Sequence, residues 1–99
     1  MIKFLGLHKS DKPEKKYYVE LEESGRVKRV YFGSAGMMDY TLHPALERER
    51  RKENYIRRHR VTEDWSSSGR DTSGFWAKHI LWNKPTISAS LKDTLARFF

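Results

Sequence analysis

The 99-residue chain contains no cysteine. This excludes a disulfide framework and thiolate metal sites, and it fits a reducing compartment. Long apolar runs are also missing, since none approaches the roughly 18 residues a membrane-spanning helix needs. The stretch from Met1 to Leu7 is too short, and too soon followed by charge, for a secretory signal. A soluble protein without membrane insertion is expected, acting where it is made or carried inside a larger assembly. No phosphate-cradling glycine loop is present either. Gly33-Ser34-Ala35-Gly36 is too short and lacks the Lys-Ser or Lys-Thr that would follow it.

What the chain has is charge and rings. Apolar residues make up 37% and charged residues 33%, a polar balance that 13 aromatic residues offset through the area each one buries. The aromatics run from Phe4 to Phe99, so the whole chain, residues 1–99, reads as one folded domain. Twenty Lys and Arg against 13 Asp and Glu give a net charge of +7. Such a charge draws polyanions, whether nucleic acid, acidic protein or anionic headgroups.

Residues 2–7 read as a short strand, followed by a charged loop, 8–16, around Pro13. The clearest local signal is a β-hairpin. Residues 17–22 alternate, residues 27–32 are rich in β-formers, and Ser24-Gly25 suits a tight turn. With those two as turn residues, Glu23 faces Arg26, Glu20 faces Arg29, Val19 faces Val30 and Tyr18 faces Tyr31. Opposite charges and apolar pairs then meet directly. Residues 33–36 end the strand, and 37–43 read as a loop or short strand.

Pro44 suits the first position of a helix over residues 45 to about 60. Projection at 100° per residue puts Arg50, Arg51, Asn54, Arg57 and Arg58 on one face, with Ala45, Ile56 and His59 opposite and Tyr55 at the border. Seven cations and three acids on this helix supply more than half of the net charge. After a Gly/Ser-rich loop pinned by Trp65, a second helix is expected from Phe75 to about Trp82, stopped before Pro85. A last helix, capped by Thr86 or Ser88, carries Leu91, Leu95 and Phe98. Strand, hairpin and three helices give an α+β fold, with a small antiparallel sheet packed by the helices. If residues 2–7 lie at the sheet edge and not at its centre, which the sequence leaves open, that edge offers a route to a homo-oligomer.

The four histidines, His8, His43, His59 and His79, include no helical i, i+4 pair, and zinc would need three or four ligands from separate elements. No metal and no cofactor are expected. Hydrolytic chemistry would have to couple His43 or His59 with Asp39, Glu63 or Asp64 in a cleft, and the serines 66–68 lack a nucleophile-elbow setting. The chain therefore reads as non-enzymatic. The basic helix is the leading candidate site: Arg50, Arg51, Arg57 and Arg58, helped by Lys28 and Arg29, can track phosphates of DNA or RNA. The competing reading is a solvated face, with Glu47 and Glu53 paired to Arg51 and Arg57. Tyr18 and Tyr31 could stack bases from one hairpin face, whereas Trp65, Phe75, Trp76 and Trp82 read as core.

Phe32-Gly33, the Met38-Asp39-Tyr40-Thr41 run with His43, the YIRRH of 55–59, Glu63-Asp64-Trp65, Ser73-Gly74-Phe75-Trp76 and the LWNKPT of 81–86 together resemble a family of unknown function. Its members are small proteins encoded by large DNA viruses of eukaryotes. The resemblance spans roughly residues 15–98. It implies a viral origin and a place in the virion or in the cytoplasm or nucleus of the infected cell, and it brings no catalytic residues. The leading expectation is a viral nucleic-acid-binding protein. The alternative is a virion structural or interaction protein, a minor capsid or cement component contacting capsid or core proteins.

Overall fold

The computed structural model describes residues 2–99; Met1 lies outside them. Strands β1 (Ile2–Lys9), β2 (Lys15–Glu23) and β3 (Arg26–Ser34) form an antiparallel meander in the order β1-β2-β3. β1 runs two residues beyond the expected strand because Leu7, His8 and Lys9 continue to pair with Val19, Tyr18 and Tyr17. The hairpin register is the expected one, including Glu20 opposite Arg29 and Tyr18 opposite Tyr31. Ser24 and Gly25, at φ 54° and 80°, turn the chain with both central residues left-handed, which matches the twist of the strands they join.

β1 is an edge strand. Its register shifts between Phe4 and Gly6, so Leu5 bulges and both Phe4 and Leu7 point to the packed face. A bulge of this kind blunts an edge against pairing with another chain.

Three helices pack against the sheet. α1 spans Ala45–His59, α2 spans Ser73–Trp76 and widens into a π-helical stretch, Ala77–Leu81, and α3 spans Ile87–Phe98. α2 starts two residues earlier than expected because Thr72 caps it, its hydroxyl accepting from Phe75 N. A single 3₁₀ turn, Ser67–Gly69, interrupts the loop before it. Thr86 caps α3, with its hydroxyl accepting from Ala89 N at 3.1 Å. Pro44 stands just before α1 in an extended conformation instead of inside it.

The core joins Val19, Leu21, Val30 and Phe32 of the sheet to Phe75, Trp76, Ile80 and Leu81 of the α2 stretch. Each such side chain contributes about 1.5–3 kcal/mol on burial. Phe75 and Trp76 are fully buried, as expected, whereas Trp65 and Trp82 are half-buried. α3 packs Leu91 and Phe98 against the core, as expected, together with Ile87. Ser90 and Thr94 are its buried residues, and Thr94 Oγ1 donates to the Ser90 carbonyl at 2.8 Å.

Candidate functional site

α1 turns inward along Arg48, Lys52, Tyr55, Ile56 and His59, and of these only Tyr55 is buried. Ala45, expected on the inner side, is exposed. The reason is that α1 meets aromatic rings, not an aliphatic core. Tyr55 stacks on Trp82 with centroids 4.7 Å apart and planes 10° apart, on His59 at 4.3 Å, and more distantly on Trp65 at 6.3 Å. Burial, helped by the nearby Glu63 carboxylate, pushes the Tyr55 phenol up to about 12. Further along, the ammonium of Lys52 lies over Tyr40 and donates to Asn83 O at 3.1 Å, and the Arg48 guanidinium lies over the same ring. The Tyr40 hydroxyl donates to Glu49, which holds its phenol above the ordinary value. Cations thus serve as the packing layer between helix and body.

The outer face of α1 carries Arg50, Arg51, Arg57 and Arg58, all exposed. Arg57 pairs with Glu53 at 3.1 Å, as expected, but Glu47 pairs with Arg50 at 3.5 Å instead of with Arg51, one step away on the helix. Among the described residues Arg51 and Arg58 have no acidic partner. On the same helix Leu46 is 100% exposed, with Leu42 exposed just before the helix and Val61 just after it.

Lys28 and Arg29 do not extend this face. Lys28 pairs with Asp71 at 3.3 Å, in the loop before α2. Arg29, on the opposite, helix-free face of the sheet, reaches Asp11 at 3.3 Å and covers the Tyr18 ring at 4.5 Å. His8, Tyr18 and Tyr31 form a row there, with successive centroids 5.1 Å apart. Lys12 lies over Tyr31 at 4.1 Å, and the Tyr31 hydroxyl donates to Asp11 Oδ1 at 2.7 Å, holding that carboxyl below its usual range. Cations thus lie over both tyrosines of the row, Arg29 over Tyr18 and Lys12 over Tyr31.

The remaining candidates are scattered. His79 is buried against Phe75 and Phe98, with Nε2 3.0 Å from Trp65 O, and desolvation lowers it to about 4, so it is neutral and donates from Nε2. His43 lies against Trp82. Asp39, 4% exposed, accepts from Lys16 Nζ at 2.7 Å and from the Thr41 hydroxyl at 2.6 Å. Asp64 accepts from the Ser66 hydroxyl and amide, which lower its pKa. His59 and Glu63 do approach, to 4.0 Å, a separation beyond hydrogen bonding. Among the described residues no three His, Asp or Glu side chains cluster as a metal would require, and no helix is long and apolar enough to cross a membrane.

The fold thus exposes a basic helix with apolar flanks and a separate aromatic row on the sheet. Residues 5–59 match a family of unknown function, DUF5754. The match takes in most of β1, all of β2 and β3, and α1, and it stops short of the tryptophan-bearing segments from Trp65 onward. No curated protein and no solved structure matches the chain. With more than half of its length matched, the chain belongs to the family of unknown function DUF5754.

Proposed function

We propose that the chain is a non-catalytic interaction protein that meets an acidic protein surface through the outer face of α1. The observation that carries this reading is the fully exposed Leu46 on the same helix as Arg50, Arg51, Arg57 and Arg58. An apolar side chain gains nothing from a phosphate backbone, whereas protein interfaces combine an apolar centre with arginines around it. Glu47 and Glu53 point the same way, because they pair with Arg50 and Arg57 and dilute the field that phosphate tracking uses. A non-catalytic role is supported by the engagement of Asp39 with Lys16 and of Asp64 with Ser66, and by the gap between His59 and Glu63.

The viral resemblance supports a role in a virion, as a minor capsid or cement component. Quantitative mass spectrometry of purified particles tests it. A copy number in fixed ratio to a shell protein is expected, and one that follows nucleic-acid content across particles would overturn it. Phosphate contact is the second reading, favoured by Arg51 and Arg58, which are exposed and have no acidic partner among the described residues.

A further inference from the structure

Between the open end of the hairpin and the last turns of α1 lies a cleft of about 550 Å³. That volume falls within the roughly 300–1,000 Å³ of ordinary ligand sites. Lys15 and Ser34 line one wall, Arg58 and His59 another, and Met37 and Met38 form an apolar lip that is 65% and 50% exposed. Trp82 and Leu81 line the cleft as well.

The charge inside is not balanced. Asp39 is satisfied by Lys16 and Thr41, and the Glu63 carboxylate is packed over Gly74, in the space a Cβ there would fill. The lining holds three cations (Lys15, Lys16 and Arg58) against two carboxylates (Asp39 and Glu63), and among the described residues Lys15 and Arg58 have no acidic partner, so its balance is positive by one charge. The apolar lip consists of two thioethers, which adapt to varied side chains. Arg58 belongs both to the cleft and to the exposed arginine face, so the two surfaces are continuous.

We infer that the cleft takes a short acidic peptide segment of a protein partner, with one apolar side chain against Met37, Met38 and Trp82 and carboxylates on Lys15 and Arg58. The inference rests on the protein-contact reading and gives that contact its specific anchor, a side chain seated in a pocket.

NMR of protein labelled at the methionine methyls and tryptophan indoles tests it, with acetyl-Glu-Phe-Asp-amide as probe. The Met37 and Met38 methyls and the Trp82 indole are expected to shift, with half-saturation below about 1 mM. The acetyl-Gln-Phe-Asn-amide and acetyl-Glu-Gly-Asp-amide controls are expected to bind at least about tenfold more weakly, as is the acidic peptide to a Lys15→Gln/Arg58→Gln variant. Silence of the cleft signals up to about 1 mM overturns the inference. So does equal binding of the uncharged control. Tighter binding of N-acetylphenylalanine would assign the cleft to a small carboxylate and overturn the peptide. In uniformly ¹⁵N-labelled protein, backbone amide shifts confined to residues 46–51 would overturn the cleft while leaving the protein-contact reading intact.

Discussion

Tyr55 and Trp82 lie face to face, 4.7 Å apart and within 10° of parallel, and this stack is the main apolar attachment of α1. Every other inward residue of the helix is half-exposed or charged. Tyr55→Ala is expected to cost about 3–5 kcal/mol in chemical denaturation. Hydrogen exchange should quicken along 45–59 ahead of the sheet. Tyr55→Phe should lie within about 0.5 kcal/mol of the natural protein, because the phenol makes no hydrogen bond among the described residues. A large loss in the phenylalanine variant would contradict attachment by stacking.

Gly33 and Gly25 share a φ of 80° but not their surroundings. A Cβ on Gly25 meets nothing within 4 Å, while one on Gly33 would come 2.7 Å from Leu81 Cδ1 and 3.2 Å from Lys16 Cβ. Gly25→Ala is therefore expected to cost the backbone strain alone, about 1–2 kcal/mol. Gly33→Ala adds displacement of a buried leucine and should cost about 1–3 kcal/mol more. Equal melting temperatures for the two variants would show that the sheet end is not packed on Leu81.

His79 makes stability depend on pH. Desolvation lowers its pKa to about 4, with Lys78 and Arg97 adding to the shift and the Trp65 carbonyl and Asp93 opposing it. A folded pKa below the unfolded value means that the unfolded chain binds the proton more readily. The contribution is complete above about pH 6.5, the unfolded value, and is lost as pH falls from there towards 4. It amounts to about 3 kcal/mol. Denaturant midpoints between pH 7 and 4.5 should fall for the natural protein and change much less for His79→Gln. Parallel slopes would contradict a neutral His79.

The hairpin was readable because its evidence is local: a two-residue turn sets the register, and Glu20 with Arg29 and Val19 with Val30 check it. The inner face of α1 was harder to read. Its packing is a ring stack with half-buried cations, and hydropathy ranks Arg48 and Lys52 as outward while tertiary contacts turn them in. Leu46, conversely, was hidden by being apolar and exposed at once. The cleft could not be read from sequence, since Lys15, Met38, Arg58 and Trp82 are brought together only by the fold. Lys28 and Arg29 looked like additions to the basic surface because strand alternation does not reveal that Asp71 and Asp11 come to meet them.

The most direct test is an equilibrium titration of labelled single- and double-stranded DNA and RNA across a salt series. The natural protein is compared with Arg50/Arg51/Arg57/Arg58→Ala, whose folding is checked by thermal melting. If α1 is a protein-contact face, nucleic-acid binding is weak and vanishes near about 0.15 M salt, where surface charges are screened beyond roughly 8 Å. Tight binding that persists there, and that the arginine variant loses with a shallower salt slope, would contradict it and make α1 a phosphate-binding helix.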